Sequence, residues 1–203
     1  MRKIFVTGIG TDVGKTVVSA ILTEALEADY WKPVQAGDLN NSDTLKVQHL
    51  VSNTKTVFHP EAYRLSQPMS PHAAAAIDGV EIKVNNVNLP TTNNNLIIEG
   101  AGGLMVPLNN NELIINLIQK LEVEVVLVVQ NYLGSINHTL LSIDALKTRK
   151  IKVLGIIFNG EENEASENYI LNYSGLKCLG RVKKHASLTQ ETILEYKHQF
   201  DQL

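Results

Sequence analysis

Along this chain the spacing of hydrophobic positions switches repeatedly between the period of a strand and that of a helix. Residues 3–7, 96–99, 123–129 and 152–158 are short, apolar and rich in β-branched side chains, the composition of strands buried on both faces. Helix-spaced segments lie between them. Val17, Val18, Ala20, Ile21, Leu22, Ala25 and Leu26 make one, and Leu113, Ile114, Leu117, Ile118 and Leu121 make another, over 112–121. Helices are also expected over 43–51, with Ser42 or Asp43 as N-cap, and over 71–76, with Pro71 in the first turn. The pattern predicts three more over 135–149, 165–173 and 188–200, and shorter strands over 30–34, 61–65 and 176–182. Residues 85–95, rich in asparagine and holding Pro90, read as a loop.

Strands alternating with helices imply right-handed βαβ crossovers. The expected fold class is α/β, a doubly wound, mostly parallel sheet with helices on both faces, and residues 1–203 read as a single domain. Ligands of such sheets bind beyond the carboxyl ends of the strands. The first strand runs there into Gly8-Ile9-Gly10-Thr11-Asp12-Val13-Gly14-Lys15-Thr16 and then into a helix, the order a phosphate-binding loop requires. Glycines let backbone N–H groups approach phosphate oxygens, and the helix start adds its positive dipole end. Lys15 can reach outer phosphates, and the Thr16 hydroxyl can sit on Mg²⁺. Ile9 stands where the commonest form of this motif has glycine, so the loop reads G-x₅-G-K-T; a glycine-rich turn with no ligand is the alternative.

Other polar residues fall at strand ends, on the same expected rim: Lys32, Asp43, Glu99, Asn131 and Asn159. Glu99 is the best second ligand for Mg²⁺, and Thr16, Asp43 and Glu99 form a sufficient protein set for a cation that keeps several waters. Each has a plainer reading beside it. Glu99 also suits a solvated loop start, a helix N-cap alone accounts for Asp43, and Lys32 between Trp31 and Pro33 suits an edge strand. His72 and His138, each alone near a helix start, read as structural.

Composition removes several function classes. A net charge of −3 with no basic face gives no footprint for nucleic acid. No apolar run approaches the roughly 20 residues of a membrane span, and no signal-peptide core follows Met1-Arg2-Lys3, so a cytoplasmic protein is expected. The one cysteine, Cys178, excludes an internal disulfide and is expected to be a small buried hydrophobe.

Taken in order, the motifs resemble those of the dethiobiotin synthetase family. The G-x₅-G-K-T loop matches its spacing; Tyr30-Trp31-Lys32-Pro33-Val34, Asn41-Ser42-Asp43-Thr44 and Ser70-Pro71-His72 resemble its Y-x-K-P-V, N-S-D and S-P-H segments. Glu99-Gly100-Ala101-Gly102-Gly103, with Val106-Pro107-Leu108, and Leu133-Gly134-Ser135-Ile136-Asn137-His138 resemble its E-G-A-G-G…P-L and L-G-x-I-N-H segments. The resemblance implies an ATP-dependent ligase of biotin biosynthesis. It carboxylates 7,8-diaminopelargonate with CO₂ through a carbamate and a carbamic–phosphoric anhydride, and closes a ureido ring. Lys32, Lys15 and Thr11 would be the catalytic groups. ATP would lie against Asp12, Val13, Gly14, Lys15, Thr16, Val17, Glu99, Gly100, Ala101, Gly102, Asn159 and Gly160, with Mg²⁺ at Thr16, Asp43 and Glu99. The substrate's tail would meet Gly134, Ser135, Ile136, Asn137 and Tyr169 from the second subunit of a homodimer.

Two positions depart from that pattern. Ala36 replaces a hydroxyl residue, leaving Gln35 or water to substitute, and Gly180-Arg181-Val182-Lys183-Lys184 lacks the proline of the family's base-framing segment. The competing reading is a partition or septum-positioning ATPase, a nucleotide-dependent switch. That group resembles K-G-G-x-G-K-T, and its signature lysine position is here Gly10.

Overall fold

The computed structural model describes residues 1–203. Strands β1 (Lys3–Gly8), β2 (Asp29–Trp31), β4 (Phe58–His59), β6 (Leu96–Gly103), β7 (Glu124–Gln130), β8 (Val153–Asn159) and β9 (Cys178–Val182) form one sheet. Its order is β4-β2-β6-β1-β7-β8-β9, and every pairing is parallel. Helices α1 (Lys15–Ala25), α2 (Asp43–Leu50), α3 (Pro71–Ile77), α4 (Ile114–Leu121), α5 (Ser135–Thr148), α6 (Glu164–Ser174), α7 (Gln190–Leu194) and α8 (Lys197–Phe200) follow the chain order.

The two-residue pleat sorts the core into layers. Ile4 and Val6 of β1, Tyr30 of β2, Ile97 of β6 and Val126 and Val128 of β7 pack with α1, α2, α7 and α8. Phe5, Trp31, Ile98 and Val125, one position out of step, join α3 and α4 on the opposite face. Leu127, Val129, Ile156 and Phe158 meet Ile143 of α5 and Ile170 of α6 in a third cluster. With both faces covered, β7 has five fully buried apolar residues in succession, Val125 to Val129, as its continuous run predicts.

Sheet order fixes where the site lies. After β1 the chain runs outward to β2, and after β6 it returns across β1 to β7. The connections leave β1 and β6 in opposite directions, so a crevice opens beyond their carboxyl ends. The loop at residues 9–14 and the glycine run at the end of β6 face each other there.

Several expected elements differ. The strand over 30–34 is two: β2 ends at Trp31, and β3 (Val34–Ala36) pairs with β5 (Tyr63–Leu65) in a separate two-stranded sheet. Pro33 has no N–H for a ladder, and its carbonyl accepts from Tyr63 N as the new sheet begins. β4, only two residues long, has too little pattern to read. β6 runs through its glycines to Gly103. The helix expected from 112 begins at Ile114, because Glu112 is held by Asn109. Residues 188–200 form two short helices, with Thr189 capping α7 and a break at Glu195 and Tyr196. The Tyr196 hydroxyl accepts from Lys183 N at 2.9 Å and pairs with His185 Nε2, tying this end to the segment after β9. Cys178 is exposed, not buried, because it opens β9 at the sheet's edge.

Candidate active site

Glu99 organises the site through strand register. Tyr30 pairs with Ile97 and Trp31 with Ile98, so Lys32 follows opposite Glu99. Residues two apart share a face, which puts Tyr30, Lys32, Ile97 and Glu99 toward α1. Three donors converge on the Glu99 carboxylate, which is 1% exposed. Thr16 Oγ1 and Lys32 Nζ each donate to Oε1 at 2.9 Å, and Tyr30 Oη donates to Oε2 at 2.9 Å.

Lys32, buried, joins two acids. Its Nζ lies 2.6 Å from Asp43 Oδ2 and 2.9 Å from Glu99 Oε1, and it donates to Gly100 O at 3.4 Å. Burial works against the ammonium charge, but Glu99 and Asp43 more than offset it, so its pKa lies above the ordinary lysine value. Asp43 is free to do this because Ser42 caps α2, its Oγ accepting from Leu45 N at 3.3 Å. That resolves the two candidate caps. Burial raises the Asp43 pKa, yet Lys32 and then Lys46 bring it below the usual value. The Tyr30 phenol is driven well up by burial and by Glu99.

The loop is held open from behind. Gly14 has φ 92°, and an added Cβ would stand 2.1 Å from Asn159 Nδ2. That amide donates to Val13 O at 3.0 Å, pinning the loop to the end of β8, and Gly160 N continues the pairing to Val182 O. The N–H groups at the start of α1 have no side-chain cap. Lys15 Nζ donates to Gly10 O at 2.8 Å. Its pKa falls to about 8, chiefly through burial, with Glu99 resisting and Lys32 adding to the fall.

Two adjoining cavities share Thr11, Asp12, Lys32, Asp43, Lys46 and Gly102. The first, about 370 Å³, also meets Gly14, Lys15, Thr16, Val17 and Glu99. The second, about 510 Å³, extends to Ala36, Ala101, Met69, Ser70 and Pro71. Gln35, beside Ala36, also lines the second cavity. Its Nε2 donates to Gly37 O and its Oε1 accepts from Asp43 N. Hydroxyl-bearing residues in that cavity are Thr11 and Ser70.

The donor set suits a hard cation. Thr16 Oγ1 and Glu99 Oε1 lie 2.9 Å apart, the separation of neighbouring ligands around an octahedral ion with bonds of about 2.1 Å. No group of three or more His, Cys, Asp or Glu side chains is placed to hold a metal ion by itself. A cation would therefore rest on Thr16, Glu99 and Asp43, with other oxygens from phosphate or water.

Gly134, Ser135, Ile136, Asn137 and Tyr169 are not brought to these cavities within one chain. Gly134 (φ 102°) opens α5 with no side-chain cap, as Gly14 opens α1. Leu133 beside it is fully exposed, and Tyr169 stacks on Tyr173 with ring centroids 6.0 Å apart, both exposed. Asn131, at the end of β7, turns to Glu167 and Glu161 O at the start of α6. His138 Nδ1 pairs with Tyr132 Oη, and His72 lies outside both cavities.

Two residues of the site escape a reading of motifs. Tyr30 stands in the Y-x-K-P-V motif with no role of its own, although its place two before Lys32 gives it the same face. Lys46 lies one turn after Asp43 on α2, 3.5 Å from its carboxylate. That i,i+3 spacing was the available signal.

A family model described as an AAA domain matches residues 2–192. The chain is 54% identical over 199 residues to the ATP-dependent dethiobiotin synthetase BioD of Christiangramia forsetii, covering 98% of this chain and 96% of that protein. The Cytophaga hutchinsonii protein of the same name is 53% identical over 197 residues, covering 97% and 95%. That of Chlamydia pneumoniae is 42% identical over 203 residues, covering 100% and 91%. Among solved structures, the Pyrococcus furiosus cell division ATPase MinD superposes with a TM-score of 0.62 at 14% identity, covering 100% of this chain and 99% of that one. A ParA family ATPase from Chlorobium tepidum gives 0.60 at 13%, covering 100% and 96%. At that identity the likeness is one of fold alone, and it gives no weight to a nucleotide-switch function.

Proposed function

The chain belongs to the dethiobiotin synthetase family, and on that premise we propose that it is an ATP-dependent ligase closing the ureido ring of dethiobiotin on 7,8-diaminopelargonate with CO₂. One observation carries the reading: Lys15, Thr16, Lys32, Asp43 and Glu99 converge where a cavity of about 370 Å³ adjoins a larger one of about 510 Å³. The first suits a triphosphate and the second a diamine. No helix is long and apolar enough to cross a membrane.

An amine of the substrate adds to CO₂ and loses a proton, giving a carbamate. A carbamate oxygen attacks the γ-phosphorus, and ADP leaves. The second amine then attacks the carbamoyl carbon, phosphate departs, and the ring closes. An anion approaching a polyanion needs fixed positive charge between them. Lys32 has a raised pKa and lines both cavities, so its protonated amine lies between carbamate and phosphate. Lys15 is within reach of the outer phosphates once it leaves Gly10 O. Thr11 borders both cavities and offers a hydroxyl to the carbamate. Backbone N–H groups from Asp12 to Val17 cradle the phosphates, Glu99 and Gly102 form the opposite wall with Ala101 at the second cavity, and Asn159 holds the loop through Val13 O, while Gly100 and Gly160 line neither cavity. Thr16, Asp43 and Glu99 would hold Mg²⁺, which neutralises phosphate charge.

The tail carboxylate requires a second chain. The uncapped start of α5 at Gly134, Ser135, Ile136 and Asn137, with Tyr169, lies outside its own chain's cavities and beside exposed Leu133 and Leu141. A homodimer that buries this surface would bring one chain's turn to the other's second cavity. Purified protein given Mg-ATP, bicarbonate and 7,8-diaminopelargonate is expected to form dethiobiotin, ADP and phosphate in equal amounts. ATP turnover that ignores the diamine would overturn the reading.

A further inference from the structure

We propose that Tyr30 is a positioning residue, fixing which oxygen of Glu99 faces the reaction cavity. The terminal torsion of a glutamate is soft and two-fold, so a buried carboxylate keeps one orientation only if something holds it. Here the phenol of Tyr30 takes Oε2 from behind at 2.9 Å, and Oε1 is left to receive both Thr16 and Lys32. Tyr30 is itself fixed. It is fully buried in the α1 layer, and its ring lies against Phe58 at 6.0 Å. The phenol touches neither cavity, so its effect on the site passes through Glu99.

The phenol also settles the denticity of Glu99. With Oε2 engaged, the carboxylate presents a single oxygen, whose separation from Thr16 Oγ1 suits adjacent positions around a small octahedral cation. Without the phenol, Oε2 would be a buried acceptor with no donor, and the group would turn to use Lys32 or the cation with both oxygens. This inference rests on the metal assignment proposed above, and its test separates the two.

The probe is Mn²⁺ bound to the full chain with ADP, followed by electron paramagnetic resonance. Glu99→Gln is expected to weaken Mn²⁺ at least tenfold. Tyr30→Phe, which keeps the ring on Phe58, is expected to weaken it about tenfold while ADP affinity without metal stays at the wild-type value. In the double variant the Tyr30→Phe effect should vanish, because Tyr30 acts through Glu99. If Glu99→Gln binds Mn²⁺ as tightly as wild type, the metal assignment falls and this inference with it. If Glu99→Gln weakens Mn²⁺ but Tyr30→Phe does not, or if the Tyr30→Phe effect survives in the double variant, only the positioning role is overturned.

Discussion

Replacing Lys32 with alanine removes the cation that separates Asp43 from Glu99. Its Nζ contacts both carboxylates, at 2.6 and 2.9 Å, inside a pocket where Glu99 is 1% and Asp43 22% exposed at the side chain. Breaking a buried ion pair from one side costs about 3–5 kcal/mol, because the partner charge stays behind. Asp43 is partly wet, which favours the lower end, about 3 kcal/mol. For a chain of this size each kcal/mol moves Tm by about 2–4 °C, so a fall of about 6–12 °C is expected without ligand. Added Mg²⁺ should recover part of it, since two facing carboxylates now lack a counter-ion. The chemical step loses a positive charge between two anions, for which about a hundred- to thousandfold drop in kcat is appropriate. The phosphate loop keeps Lys15 and its N–H groups, so ADP affinity should barely change. Calorimetry with and without Mg²⁺, ADP titration and dethiobiotin formation measure the three quantities. Parallel losses in kcat and nucleotide affinity would place Lys32 in the nucleotide site. An unchanged Tm would show that it does not hold the two acids apart.

Lys15 has a folded pKa near 8 against an ordinary 10.5, so between those values the unfolded chain binds more protons than the folded one. Stability contributed through this group therefore rises with pH from about 8 to 10.5, and urea titrations across that window should show an increase that Lys15→Met lacks. Phosphate favours the charged amine, so ATP binding near pH 8 should take up a proton, seen as a buffer-dependent enthalpy that Lys15→Arg suppresses. Leu141→Asp, on the exposed side of α5, should shift a dimer toward the monomer in light scattering and abolish synthesis, leaving ADP binding intact; an active monomer would refute the shared site.

Much of the fold was legible because parallel strands and their covering helices write themselves as local patterns. The β7 run, the α4 stripe and the β1-to-α1 loop need no distant information. The failures occur where the chain interacts with remote parts of itself. Pro33 ends the β2 ladder and hands the chain to a new partner, Tyr63, thirty residues away. Tyr196 interrupts the last helix to bind Lys183 N and His185. Cys178 carries apolar neighbours but falls on the outermost strand, where no further strand covers it.

The sequence by itself determined the residue types and the rim they occupy: a phosphate loop after β1, a lysine and an acid after β2, an acid before the glycines of β6, and the glycine-opened helix α5. Those follow from strand direction, since every parallel strand ends on the same side. Tertiary structure alone decided which side chains face one another. It took the β2–β6 register to set Lys32 opposite Glu99, the Ser42 cap to release Asp43, and the pleat to bring the Tyr30 phenol behind the same carboxylate. Hydrogen-bond geometry within about 3 Å depends on register and rotamer together, and neither is written in the order of residues along one strand.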